Sequence, residues 1–323
     1  MDETTLVTGA AGFAGSHLLD LLETGPATVV AWRRPGDPLP PNRSGDELPW
    51  MSVDLLEREA VRAAVARTRP AVIYHCAGAA DVGHSWGRTR ETLAVNVLGT
   101  LHLIEAVQRA GLRPRILIPG SALVYRQSEH ALRETDAIGP ASPYGFSKLA
   151  QEMLGERGVS EAQLPILLTR SFNHIGPRQA PSFFASSFAR QIATIEAGRS
   201  EPIILVGNLQ ARRDLSDVRD TVRAYRAIVD RGRPGFVYNV CSGRAHTIGG
   251  ILERLLARSR VPIEVRADPA LQRPHDTALV LGDNTRIREE LGWTPTIPIE
   301  RTLEDLLDFW RRQVGHEQGK SGE

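Results

Sequence analysis

Tyr144 and Lys148 lie four residues apart in the stretch "YGFSK", a spacing that puts both side chains on one face of a helix. A phenol with its ordinary pKa of about 10 exchanges protons poorly at neutral pH. A neighbouring ammonium favours the phenolate and lowers that pKa, each unit corresponding to about 1.4 kcal/mol. The pair is therefore a candidate catalytic acid–base couple. The ordinary alternative is an incidental pair on a helix surface. Against it stands the basic composition: of 39 basic residues only Lys148 and Lys320 are lysine, so a lysine four after a tyrosine is a rare coincidence. Upstream, "IPGSALVY" (118–125) closes a short apolar run on Ser121 and follows it with Ala122 and Leu123, whose side chains can move no proton.

Groups of this kind need a rigid scaffold. Short apolar runs at 4–8, 28–32, 71–76, 115–119, 165–170 and 236–241 alternate with amphipathic stretches. The clearest stripe at helical spacing holds Leu93, Val97, Leu98, Leu101, Ile104 and Val107. Near-continuous apolar strands separated by helices predict an α/β fold, a Rossmann-type doubly wound parallel sheet covered on both faces. Later helical patterns at 182–197, 247–258 and 300–313, joined by short extended pieces, predict a smaller α/β lobe. Residues 1–172 and about 209–243 are assigned to the dinucleotide-binding domain, and about 173–208 and 244–315 to a substrate-binding lobe. The polar segment 316–323 is expected to be a flexible tail.

Directly after the first strand, "TGAAGFAG" (8–15) opens a helix. Gly9, Gly12 and Gly15 allow a tight turn and close approach of a pyrophosphate to the helix N-terminus. Glycines alone also suit a plain strand–helix turn; the position after the first strand favours a nucleotide. At the end of the second strand an acidic residue would bind the ribose hydroxyls of NAD. Trp32, Arg33 and Arg34 stand there instead, and two guanidinium groups suit a 2′-phosphate unless they simply face solvent. NADP(H) is therefore preferred, with NAD(H) possible.

Composition excludes other classes. The 323 residues are 41% hydrophobic and 24% charged with a formal net charge of +1, so charge points to neither nucleic acid nor a membrane surface. The acidic N-terminus has no signal-peptide pattern, and no apolar run has the length of a membrane span. Cys76 and Cys241 fall in apolar strand-like runs, as buried thiols in a reduced compartment would. The nine histidines show no ligand spacing, so no metal is expected. A cytoplasmic protein is predicted.

Several separate motifs, "TGAAGFAG", "VDL" (53–55), "HCAGAA" (75–80), "NVLGT" (96–100), Ser121 with "YGFSK", and "RSFNHIGP" (170–177), resemble the extended short-chain dehydrogenase/reductase family, whose members act on nucleotide sugars. The resemblance spans about residues 4–313 and implies a role for each group. Ser121 would hydrogen-bond the reacting sugar oxygen, Tyr144 would exchange a proton with it, and Lys148 would hold the nicotinamide ribose. Phe13 and Ala14 of the glycine loop, together with Asn96, would belong to the cofactor side. Asp54 and Leu55 would line the adenine, Ala77, Gly78 and Ala79 the pyrophosphate side, and His174 the nicotinamide end. Taken singly, Asp54 reads better as a helix N-cap and the alanines as strand-end packing.

In the second half, "VGNLQARRDLSDVRD" (206–220), "YNVCSGRAHTI" (238–248) and "LQRPHDTALVLGDNTRIREELGW" (271–293) are similar to the GDP-mannose 4,6-dehydratase and GDP-4-keto-6-deoxymannose reductase branch. That similarity implies a GDP-linked sugar gripped by Asn173, Arg213, Arg273 and Asp276; read alone, the segment around Arg213 is a solvated, salt-bridged helix entry. It also implies that a dehydratase carries its extra carboxylates in the two residues after the serine. Here these are Ala122 and Leu123, which favours reduction of a 4-keto sugar over elimination of water. A 4-epimerase would use the same Ser121, Tyr144 and Lys148, whereas a non-enzymatic NADP-binding sensor could dispense with the Tyr144–Lys148 pair, which is intact here. A homodimer is expected, although the 93–107 stripe and the helix after Tyr144 could equally be buried against the sheet.

Overall fold

The computed structural model describes residues 3–41, 43, 45, 48–271 and 277–320. Thirteen strands follow in chain order among them: β1 (Thr4–Thr8), β2 (Thr28–Arg33), β3 (Trp50–Ser52), β4 (Val72–His75), β5 (Arg115–Ser121), β6 (Ile166–Ser171), β7 (Asn173–Ile175), β8 (Ile203–Val206), β9 (Arg212–Asp217), β10 (Val237–Val240), β11 (Ala245–Thr247), β12 (Glu264–Ala267) and β13 (Leu279–Val280). Seven of them form one sheet in the order β10-β6-β5-β4-β1-β2-β3, every pair parallel. Chain order reverses between β1 and β4, the crevice where a doubly wound sheet receives a ligand at the carboxyl ends of its strands.

Successive strand residues feed opposite faces of this sheet. Val7, Tyr74 and Leu117 pack on one side with Leu18, Tyr225 and Ile228, from the helices Phe13–Leu22 and Val218–Arg231. Their neighbours Leu6, Ile73 and Ile116 pack on the other with Val61, Leu103 and Val107. A third core joins Phe188, Ile192, Leu215, Ile251, Leu303 and Leu307 beneath a four-stranded sheet in which β9 pairs with β7, β11 and β13. β9 comes from the 209–243 segment assigned by sequence to the dinucleotide-binding domain; the helix Val218–Arg231 and β10 of the same segment stay with the large sheet. The last helix runs Ile299–Lys320 and so continues into the segment expected as tail.

The 93–107 stripe folds as a helix, but its phase is broken by a π-helical turn at Ala94–Leu98. The extra residue rotates the face, leaving Leu98 47% exposed while Thr92, Asn96 and Thr100 turn inward. A polar row therefore lies where the apolar pattern predicted core. Among the described residues no helix is long and apolar enough to cross a membrane.

Candidate active site

β5 ends on Ser121, and a single tight turn, Ala122–Val124, follows. The helix Pro143–Ser160 starts beside that turn. Its first turn is capped by Ser142, whose hydroxyl accepts from the Gly145 N–H at 3.0 Å, with Pro143 preset for the first position. Gly145 packs so closely that a Cβ there would stand 2.4 Å from the Leu123 carbonyl oxygen. Sequence thus clamps the start of the helix against the turn after Ser121, and this brings Tyr144 to Ser121. Tyr144 and Lys148 are both buried.

Burial pushes the Tyr144 phenol up to about 12, and the Ser121 hydrogen bond only partly opposes it. This corrects the expectation that the Lys148 ammonium holds the phenol down. The lysine spends its protons elsewhere, donating to the Pro119 carbonyl at 2.9 Å and to Gln151 Oε1 at 2.7 Å. Its own pKa is drawn down to about 8 by burial, with Cys76 opposing. At neutral pH the site therefore holds a protonated phenol, suited to giving a proton, beside a predominantly charged amine.

Two cavities meet at the glycine loop. The outer one is lined by Gly9, Gly12, Asp54, Leu55, Arg33 and Arg34, with Ala77, Gly78 and Ala79 along its floor. Gly9 has φ +63°, and a Cβ on it would lie 2.6 Å from the Ala77 backbone, so only glycine leaves this cradle open. Gly12 enters the helix Phe13–Leu22 with no side-chain cap, which leaves N–H groups of its first turn for an anion. Both arginines reach this end. Arg34 pairs with Asp37 at 2.9 Å, and Arg33 donates from Nη1 to the Asp37 carbonyl. Arg33 Nε is buried without a partner among the described residues. A narrow glycine cradle, free helix N–H groups and an orphaned guanidinium donor fit a phosphorylated dinucleotide. Asp37 was not anticipated; it stands in a loop whose proline and glycine content hid it.

The inner cavity contains Phe13, Ala14, Gly15, Ser121, Ala122, Leu123, Tyr144, Lys148, Asn173 and His174. No Asp or Glu lines it among the described residues. His174 stacks on Phe13 with ring centroids 5.6 Å apart, and burial lowers its pKa. Asn96 stands behind the wall. Its Oδ1 accepts from Ala79 N–H at 2.8 Å and its amide donates to Ala79 O and to Ser147 Oγ, so it holds the Ala79 loop from behind. Arg213 lies on β9, two residues along from the Leu215 that pairs with Asn173, and donates to Thr277 O at 2.6 Å. Arg273 and Asp276 lie outside the described residues. Sequence spacing missed Gln151 and Thr100, both fully buried against Lys148 and its helix. Their signal was positional: Gln151 is three after Lys148, and Thr100 four after Asn96.

The family model for GDP-mannose 4,6 dehydratase matches residues 6–306. The chain is 35% identical to GDP-6-deoxy-D-mannose reductase of Pseudomonas aeruginosa, over 98% of this chain and all of that protein. It is 30% identical to UDP-glucose 4-epimerase of Bacillus subtilis, over 98% of this chain and 99% of that one. A solved structure of RMD from Pseudomonas aeruginosa complexed with NADPH superposes with a TM-score of 0.85 at 32% identity, covering 96% of this chain and 99% of that chain.

Proposed function

The chain belongs to the GDP-mannose 4,6 dehydratase family, and we propose that within it this protein is an NADPH-dependent reductase that converts GDP-4-keto-6-deoxy-D-mannose to GDP-D-rhamnose. One observation carries the choice. A buried, protonated Tyr144 sits with Ser121 in a cavity whose next two positions are Ala122 and Leu123. Elimination needs a further acid and base, each contributing about 10² to 10⁴ in rate. Ketone reduction needs only a hydride and one proton.

A nicotinamide dinucleotide, when bound, supplies the hydride. Gly9, Gly12 and the Ala77–Ala79 loop would hold its pyrophosphate, Arg33 and Arg34 its 2′-phosphate, and Lys148 its ribose. Ser121 orients the sugar carbonyl by hydrogen bonding, and Tyr144 gives its phenolic proton to the oxygen as the carbonyl becomes an alcohol. The walls of Phe13, Phe172 and His174 exclude water from that end. Asn173 and Arg213, with Arg273 and Asp276, are assigned to the GDP portion. The NADPH of one solved relative and the reductase at 35% identity support this reading.

A 4-epimerase reading is favoured by one observation, the 30% identical UDP-glucose 4-epimerase. The two are separated by supplying the keto sugar with NADPH. Reduction consumes one NADPH per sugar and yields a GDP-6-deoxyhexose; epimerisation interconverts sugars with no net NADPH oxidation. Formation of a 4-keto-6-deoxy product from GDP-mannose and NADP⁺ at a useful rate would overturn the assignment altogether. We further assign a cytoplasmic location, in keeping with the free thiols Cys76 and Cys241. A homodimer is supported by Trp86, Leu98, Phe146 and Met153, apolar side chains exposed on the helices flanking the site.

A further inference from the structure

We propose that Gln151 is a positioning residue for Lys148, its amide locked by a buried hydrogen-bond chain so that the oxygen always faces the ammonium. The proposal rests on the reading of Lys148 as a group of the active site. Lys148 donates to Gln151 Oε1 at 2.7 Å, and Gln151 Nε2 donates to Thr100 Oγ1 at 2.7 Å. Thr100 Oγ1 stands 2.7 Å from the Asn96 carbonyl and 3.0 Å from His75 Nε2. His75 Nδ1 lies 2.8 Å from Thr8 Oγ1, which is 3.2 Å from the Ala77 N–H. Gln151, Thr100, His75 and Thr8 are all buried.

The donor count along this chain has one solution. A carbonyl can only accept, so the single Thr100 hydroxyl proton goes to Asn96 O. Thr100 Oγ1 must then accept from both Gln151 Nε2 and His75 Nε2. His75 therefore carries a proton on Nε2, and with the ring neutral its Nδ1 accepts from the Thr8 hydroxyl. Thr8 in turn accepts from Ala77 N–H. Burial agrees, drawing the His75 pKa down to about 3. With every proton assigned, turning the Gln151 amide over would set its oxygen against the lone pairs of Thr100 Oγ1, whose proton is already given to Asn96 O, and its NH₂ against the Lys148 ammonium. Its oxygen is held toward Lys148 from the same loop that frames the pyrophosphate.

This matters because few other groups favour the charged lysine. The titratable groups around it are His75 and Cys76 at the end of β4, Tyr144 and Glu152 on its own helix, and Tyr225 on the helix opposite. His75 is neutral, and burial pushes the Cys76 thiol and the Tyr144 phenol each to about 12 and the Tyr225 phenol higher. Glu152 is engaged by the Arg170 guanidinium at 2.6 Å. Among these groups no free carboxylate steadies the ammonium; Gln151 and the Pro119 carbonyl do so as dipoles.

The composition supplies a direct test. With lysine at only two positions, lysine-selective isotope labelling yields two side-chain NMR signals, and Lys148→Met identifies the one from the site. In cofactor-free protein, Gln151→Met is expected to lower the Lys148 titration midpoint by about one unit, the scale of one charge-assisted hydrogen bond. Gln151→Glu should raise it by a similar amount, and Thr100→Val should lower it less. A role in packing alone would move neither midpoint in this opposed fashion. If Gln151→Met fails to fold, the rise in Gln151→Glu decides. Midpoints that coincide with the parent protein's in the folded variants overturn the proposal, whatever sugar the protein reduces. Full keto-sugar turnover by Lys148→Met would instead overturn the functional reading, and the titration would still decide the role of Gln151.

Discussion

At the scale of single residues, the proposed chemistry depends on a proton held by Tyr144 and a charge held by Lys148. Tyr144→Phe removes the proton and little else, so it is expected to retain cofactor binding and to lose at least about 10² in kcat. Wild-type turnover by that variant would remove Tyr144 from the mechanism. At the outer end, replacing Arg33 and Arg34 together with alanine should weaken NADPH selectively over NADH. Hydrogen bonds to charged groups are worth roughly 1.5–3 kcal/mol each, so a loss of tenfold or more is expected. Asp37 sharpens this expectation, because it already holds Arg34 and the backbone that meets Arg33. Equal loss of both cofactors, read by fluorescence titration, would show that the arginines act only on the loop.

At the scale of elements, the helix Pro143–Ser160 must start at one place for Tyr144 to meet Ser121. Two devices secure that start and they separate in their consequences. Ser142→Ala deletes a cap whose removal typically costs about 1 kcal/mol; it should lower Tm while leaving kcat nearly unchanged. Gly145→Ala drives a methyl group into the Leu123 carbonyl oxygen and must push the helix away from the turn that carries Ser121. Its kcat is expected to fall severalfold more than that of Ser142→Ala at a comparable loss of Tm. Melting curves and initial rates on the two variants make the comparison. The π-helical turn at Ala94–Leu98 acts on the facing helix in the same spirit, setting Asn96 behind the Ala79 loop and Thr100 against Gln151.

Across the whole molecule, the lobe is tied to the glycine-loop helix through His17. Its Nε2 lies 2.8 Å from the Pro177 carbonyl, and Arg178 pairs with Asp20 on the same helix. Burial, then the Arg178 charge, lower the His17 pKa to about 4, and burial, then the Lys148 charge, take His75 to about 3. Both rings are neutral in the folded chain and free to protonate near 6.5 when unfolded. Below 6.5 the unfolded state therefore binds more protons, and stability falls as pH drops toward about 4 for His17 and about 3 for His75. Each ring contributes up to about 1.4 kcal/mol per pH unit in that window and nothing above it. A urea midpoint that stays constant from pH 6.5 to 4.5 would contradict this.

The alternation of strands and helices, the glycine loop, and the Tyr144–Lys148 pair were all legible in the sequence, because each is set by spacing within a few residues. Ala122 and Leu123 were legible for the same reason, as side-chain identities that no packing can turn into acids. Contacts that join distant segments were not. The Gln151–Thr100–His75–Thr8 chain links four segments, and its members look like ordinary helix and strand residues until a parallel sheet stacks them under the lysine. Asn96 was expected beside the cofactor, yet a π-helical turn carries it to the back of the Ala79 loop. Lys148 was expected to act on Tyr144 by charge, whereas burial governs the phenol and the lysine's protons go to Pro119 and Gln151. Local covalent geometry decides which residues share a helix face or a turn. Desolvation and long-range partners come into being only when the chain is packed, so the protonation states and the second layer of the site belong to the tertiary structure.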